Sequence, residues 1–187
     1  MGKLVVSQFI SIDGVVEDPG GSEELSRGGW AFRFDRGDAG NTFKLEELES
    51  SDALLLGRTT YEGFAAAWPE REGEFADKFN SMPKYVVSTT LRNPDWNNTT
   101  VVSDDVAGRV AALKSEYQGD ILVNGSVQLV RTLLAEGLVD ELRLMVFPTV
   151  LGEGRRLFAD ADAEVPMRLA RSEPAGETLI LIYEPAA

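Results

Sequence analysis

Residues Asp120 to Phe147 constrain the fold more than any other stretch, because a strand, a turn, a helix and a second strand follow one another without a break. Ile121-Leu122-Val123 is an apolar run bounded by Asp120 and Gly125, the composition of a short strand buried on both faces. Ser126 suits an N-cap. Val127, Val130 and Leu134 then recur at helical spacing, Leu129 and Leu133 widen the stripe, and Gly137 stands where a left-handed C-terminal residue is wanted. The helix therefore packs on a sheet. Leu138 to Phe147 supplies the next strand, which Pro148 ends. In the turn, Gly125 lets backbone come close to a ligand, and Ser126 opens a helix whose free N–H groups and dipole favour an anion. Asn124-Gly125-Ser126 is thus a candidate phosphate site, although the same residues also suit an ordinary connection from strand to helix.

At 187 residues the chain is long enough for a single domain, 1–187, with a full core. It contains no histidine and no cysteine. Disulfides, thiolate nucleophiles, imidazole acids and bases and zinc sites of the usual kind are excluded, and no metal site is expected. Proton chemistry is left to carboxylates, Tyr, Lys, water or a cofactor. A formal charge of −13 argues against sequence-independent binding of nucleic acid. An anionic ligand must then be met by backbone N–H groups and single arginines. No apolar run is long enough to cross a bilayer, and Met1 to Ile10 reads as a first strand instead of a signal peptide, so the expected location is the cytoplasm.

Taken in order, Lys3 to Ile12 is a strand ending in the turn Asp13-Gly14, and Glu17 to Gly29 is a long loop with room for a helical turn near Glu23 to Ser26. Trp30 and Phe32 after it are either core residues or the wall of a substrate pocket. Asn41 to Ser50 reads as a helix. Asp52 to Gly57 is a buried strand, and Thr59 with Glu62 forms a capping-box pattern that starts the following helix. Arg58 at a helix N-terminus opposes the dipole unless an anion bridges the two, so it is either a phosphate ligand or a solvated surface arginine. Glu70 to Met82 is an amphipathic helix. Lys84 to Thr89 is a strand running into the hydroxyl cluster Ser88-Thr89-Thr90, and Thr99 to Val102 is another, with Ser103 expected to cap the next helix. Val165 to Ser172 and Thr178 to Glu184 form a closing hairpin around Pro174-Ala175-Gly176-Glu177. The whole reads as an α/β three-layer sandwich with a mixed, mostly parallel central sheet and a C-terminal antiparallel hairpin. Ligands bind at strand carboxyl ends in such sheets, where Asp13, Gly57, Ser88 and Gly125 all fall.

Ser11-Ile12-Asp13-Gly14, Leu56-Gly57-Arg58-Thr59-Thr60-Tyr61, Val86-Val87-Ser88-Thr89-Thr90-Leu91 and Val123-Asn124-Gly125-Ser126, followed by Gly137-Leu138-Val139-Asp140-Glu141, together resemble the dihydrofolate-reductase-like family. The branch they resemble is the reductase domain of riboflavin biosynthesis, the bacterial deaminase-reductase C-terminal domain, over essentially the whole chain. The resemblance implies a dihydrofolate-reductase-like fold, NADPH as hydride donor, a small heterocyclic substrate of pyrimidine or pterin type, and a homodimer. It assigns Arg58 and Thr59, behind Gly57, to the adenosine-side phosphates, and Ser88 and Thr89 to the 2′-phosphate and adenine. Gly125 and Ser126, following Asn124, go to the pyrophosphate. Gly125-Ser126 stands where dihydrofolate reductases carry Gly-Gly. Asp13 is the carboxylate nearest the end of the first strand and is the candidate proton donor, with Asp35 and Asp38 behind the aromatic segment and water as the other sources, or else it holds its turn through its side chain. The alternative to a reductase is an NADP-binding module or sensor without turnover.

Overall fold

The computed structural model describes residues 1–158 and 164–186. Eight strands form one sheet in the order β4-β3-β2-β5-β1-β6-β8-β7. In chain order these are β1 (Leu4–Ser11), β2 (Ser51–Gly57), β3 (Lys84–Val87), β4 (Thr99–Val102), β5 (Asp120–Val123), β6 (Glu141–Phe147), β7 (Met167–Ala175) and β8 (Thr178–Pro185). The first six run parallel, and β8 then pairs antiparallel with both β6 and β7. The parallel set needs crossovers, and helices supply all of them except that from β3 to β4, which is a loop. The helices are α1 (Gly37–Glu49), α2 (Arg58–Ala67), α3 (Glu74–Ser81), α4 (Val106–Glu116) and α5 (Val127–Ala135).

The central strands are apolar on both faces because both faces are covered. Leu4, Val6, Ile121 and Val123 pack on α4 and α5 through Val110, Leu113, Val130 and Leu133. Val5, Leu54, Leu56 and Leu122 pack the opposite way, on α1, α2 and α3 through Leu48, Tyr61 and Phe79. A third cluster, with Trp30 and Phe147 at its centre, fills the space under the hairpin end. The fold class expected from the sequence is the one observed.

Several local expectations are corrected. The helix after β2 starts at Arg58 with Gly57 as its N-cap, and Glu62 turns to Arg58, so the Thr59 capping box does not form. Asp105, not Ser103, caps α4, accepting from the Gly108 N–H at 3.1 Å. The Glu70 to Met82 helix begins only at Glu74, after Gly73 at φ +101°. Trp30 to Arg33 is a short 3-10 helix, which turns Trp30 inward and Phe32 outward. The strand that ends at Phe147 lies between β1 and β8, and the sheet edges are β4 and β7.

Candidate active site

The parallel strands end on a common rim, and there β2 and β5 pass directly into α2 and α5. Gly57 and Ser126 are the N-caps, both in extended conformation, and neither helix has a side-chain cap or an acidic residue in its first turn. The two turns lean on each other. The Gly57 N–H donates to the Gly125 carbonyl at 3.0 Å. A Cβ on Gly57 would lie 2.1 Å from Ser126 Oγ, and one on Gly125 would lie 2.7 Å from Thr60 Oγ1. Only glycine fits at either place, and Gly125 also holds φ at +125°; its peptide bond to Ser126 is cis. Two helix N-termini thus bring free N–H groups and positive dipole ends to one spot.

A cleft of about 450 Å³ opens beside these turns. Thr59, Thr60, Asn124, Gly125 and Ser126 line one part of it, and Leu48, Phe64, Trp68, Phe75 and Phe79 give it an apolar wall. Trp68 stacks on Phe79 at 4.4 Å and carries the Arg71 guanidinium 4.7 Å above its ring.

A further part is polar and comes from β1 and α1: Ser7, Gln8, Lys44 and Glu47. Lys44 Nζ donates to Ser7 Oγ at 2.8 Å and to Glu47 Oε1. The Glu47 side chain is 1% exposed, and its second oxygen faces Arg143 Nη1 at 3.5 Å. Arg143, on β6, also meets Glu141 at 2.5 Å and Asp120 at 3.5 Å. Burial alone would lower the Arg143 pKa, but the three carboxylates reverse this and raise it. Among the described residues, Gln8 Nε2, Glu47 Oε2 and Asn124 Oδ1 are buried without a hydrogen-bond partner. All three residues line the cleft. Glu47 Oε2 faces the Arg143 guanidinium; buried atoms such as the other two are rarely left unpaired, so Gln8 and Asn124 on one cleft point to a polar ligand. On the long loop after β1, burial raises the Glu23 pKa while Arg155 opposes it. Arg155 also binds Glu17 at 2.9 Å.

Residues 2–181 match the RibD C-terminal domain family. The chain belongs to this family. A member-length relative, the uncharacterized protein YyaP of Bacillus subtilis (strain 168), is 27% identical over 185 residues, covering 96% of this chain and 93% of that protein. A putative riboflavin biosynthesis protein from Shewanella sp. PV-4 has a solved structure that superposes with a TM-score of 0.78 at 21% identity, each chain fully covered. Dihydrofolate reductase from Enterococcus faecalis, solved with NADP(H), superposes at a TM-score of 0.56 and 14% identity, over 100% of this chain and 98% of that one. The fold of this RibD C-terminal domain is therefore dihydrofolate-reductase-like.

In this family member the residues singled out from the sequence separate into two groups. Thr59, Asn124, Gly125 and Ser126 line the cleft, and Gly57 packs directly beneath Ser126. Arg58, Ser88 and Thr89 sit on the same rim outside it. Arg58 is exposed and pairs with Glu62 at 3.0 Å. Ser88 Oγ accepts from the Thr90 and Leu91 N–H groups, at 3.2 and 2.9 Å. Phe32 lines the cleft and is 75% exposed, whereas Trp30 is fully buried, with its indole N–H on the Glu17 carbonyl at 2.8 Å. Asp13 lies outside the cleft and ties its turn to the segment after β6. It accepts from Ser11 Oγ at 2.7 Å, the Leu151 N–H at 3.1 Å and the Gly152 N–H at 2.9 Å, with Arg156 3.4 Å away. Burial alone would raise the Asp13 pKa, but these hydrogen bonds prevail and lower it from 3.8 to about 2. The sequence reading missed Lys44, Glu47 and Gln8; the one visible signal was Ser7-Gln8 interrupting an otherwise apolar strand.

Proposed function

We propose that this chain is an NADPH-dependent oxidoreductase that reduces a small heterocyclic substrate, pyrimidine- or pterin-like, by hydride transfer. The observation that carries this reading is the packing of two helix N-termini, uncapped by side chains, at Gly57 and Ser126, on the edge of a cleft lined by unpaired polar atoms. N–H groups and dipole ends so arranged suit a pyrophosphate, which a chain of net charge −13 cannot attract by its overall field. Gly57, Thr59, Asn124, Gly125 and Ser126 would hold it. Arg58, Ser88 and Thr89, on the neighbouring strand ends, would take the adenosine side. Bound NADPH supplies the hydride. The chain supplies the rest: aromatic walls from Phe32 and Trp68, and the unpaired Gln8 donor, which suits the C=O edge of a pyrimidine or pterin ring. A homodimer is part of this reading, with the exposed Leu169 and Leu179 of β7 and β8 as the surface it would cover.

The test is an NADPH titration followed by protein fluorescence, with NADPH oxidation then measured against a panel of pterins and aminouracils. Saturable binding and oxidation with at least one compound are expected. Binding without any oxidation would make the chain a dinucleotide-binding module, and absence of NADPH binding would overturn the reading.

A further inference from the structure

We propose that Lys44 is the proton donor of this site, held in place by Glu47 and Arg143. It would serve a substrate whose C=O or C=N carbon receives the hydride. For the source of that hydride the inference rests on the cofactor reading above; for the proton it rests on this chain's own residues.

The argument begins by elimination. With no histidine or cysteine in the chain, the cleft's titratable groups are carboxylates, arginines and one lysine. Arginine does not give up its proton in proteins. Glu17 accepts from both the backbone and the side chain of Arg155, at 2.7 and 2.9 Å, and Glu23 faces the same guanidinium at 3.3 Å. Glu47 is enclosed between Lys44 and Arg143. Lys44 differs from all of these. Its ammonium has three N–H donors, and two are committed, to Ser7 Oγ and Glu47 Oε1; among the described residues the third has no acceptor. Its side chain is 13% exposed, enough to touch a ligand in the cleft and little enough to exclude bulk water. Ser7 places it beside the end of β5, since the Asn124 side-chain amide donates to the Ser7 carbonyl at 3.4 Å. The charged and polar groups around it are Glu47 on its own helix, Ser7 and the Phe9 ring on β1, Arg36 over that same ring, and Arg143 on β6. Glu47 and Arg143 act through Lys44, as positioning residues.

The step balances. Hydride brings an electron pair to the substrate carbon, the π pair of the C=O or C=N bond moves to oxygen or nitrogen, and that atom takes the proton from Lys44. The neutral amine regains a proton from water at the mouth of the cleft, and the dinucleotide leaves oxidised.

Isatin, a planar cyclic ketone, and 3,4-dihydroisoquinoline, a cyclic imine, serve as probes with full-length protein. Wild type is expected to oxidise NADPH with at least one of them. Lys44→Met should lower kcat by about 100-fold, with NADPH affinity within twofold of wild type by fluorescence titration. Lys44→Ala should regain activity when methylamine is added, which a purely structural lysine would not allow. Independently of turnover, NADP+ with isatin should shield Lys44, and not the surface Lys78, from acetic anhydride in a mass-spectrometric footprint. If Lys44→Met does not fold, Lys44→Met/Glu47→Leu, which leaves no unpaired carboxylate, carries the same measurement. A kcat within threefold of wild type, an unshielded Lys44, or wild type that binds NADPH and reduces neither probe overturns the assignment. Absence of NADPH binding instead removes the cofactor reading, and this inference falls with it.

Discussion

The two ends of the cleft are built by different means. Where β2 and β5 run into α2 and α5, the working groups are backbone N–H donors and small side chains, fixed because Gly57 and Gly125 leave no room for any other arrangement. Where β1, α1 and β6 meet, the working groups are the long charged side chains of Lys44, Glu47 and Arg143, with the Ser7 hydroxyl beside them. Steric exclusion holds the first end and mutual compensation of buried charge holds the second. Added volume should therefore damage the first, and removed charge the second.

Removing charge from the second end is the harsher test. Lys44→Met leaves the buried Glu47 carboxylate with only Arg143, at 3.5 Å, beside it. Breaking a buried pair by deleting one partner costs about 3 kcal/mol or more, because the survivor keeps its desolvation penalty. A chain of this size should lose roughly 6 to 12 °C in Tm for such a change. The double change Lys44→Met/Glu47→Leu should recover most of the loss, since a well-packed apolar pair of similar volume is often neutral. Thermal unfolding of the two variants measures both. A single variant as stable as wild type would show that compensation of charge is not what holds this end together.

Adding volume to the first end should cost somewhat less. Gly57→Ala forces a methyl group to within 2.1 Å of Ser126 Oγ and 2.9 Å of the Ser126 backbone N, so a backbone atom must move as well as a side chain. Overpacking of this kind costs about 1 to 3 kcal/mol, and the shift of the Ser126 turn should weaken NADPH binding more than tenfold. The matched control is Gly63→Ala, in the same helix and also lining the cleft, where an added Cβ meets nothing closer than Ser22 Oγ at 3.8 Å. There the gain in helix propensity should stabilise by about 0.5 to 1 kcal/mol. Denaturant midpoints of the pair separate loss of space from loss of glycine.

The same contrast decides what was legible in the sequence. The backbone-built end is encoded by neighbours: Val123, Asn124, Gly125 and Ser126 are consecutive, so strand, turn and helix start can be read together, and Gly137 does close α5 at φ +65°. The rim followed from the order of strands and helices. The charged end is encoded across the fold. In the sequence Lys44 and Glu47 look like surface residues of a glutamate-rich helix, and nothing local indicates that Ser7 and Arg143 will meet them. Trp30 and Phe32 were indistinguishable for a related reason, since alternation cannot show that a 3-10 turn will bury one and expose the other. The capping box at Thr59 failed because Gly57 had already started the helix and Arg58 offered Glu62 a charged partner.

Arg58 sharpens the comparison from the other side, because it is a charge at the end that charge does not hold together. Its guanidinium lies 3.0 Å from Glu62 one turn away, with the two side chains 48% and 51% exposed. An exposed i,i+4 pair contributes about 0.3 to 0.5 kcal/mol, so Arg58→Ala should barely move the unfolding midpoint. Its effect should appear in binding instead. In the proposed site a phosphate competes with Glu62 for the guanidinium, so the net gain is smaller than that of a free arginine, on the order of tenfold in affinity or about 1.4 kcal/mol. If the extra phosphate of NADPH is the partner, Arg58→Ala weakens NADPH about tenfold and leaves NADH unchanged, whereas contact with the shared pyrophosphate weakens both alike. Glu62→Ala, which frees the arginine, should shift the same ratio in the opposite direction. The measurement is the ratio of the two dissociation constants in wild type and both variants at fixed salt. Unchanged ratios and affinities throughout would return Arg58 to the role of a solvated helix residue, and would leave phosphate recognition at this end to backbone N–H groups alone.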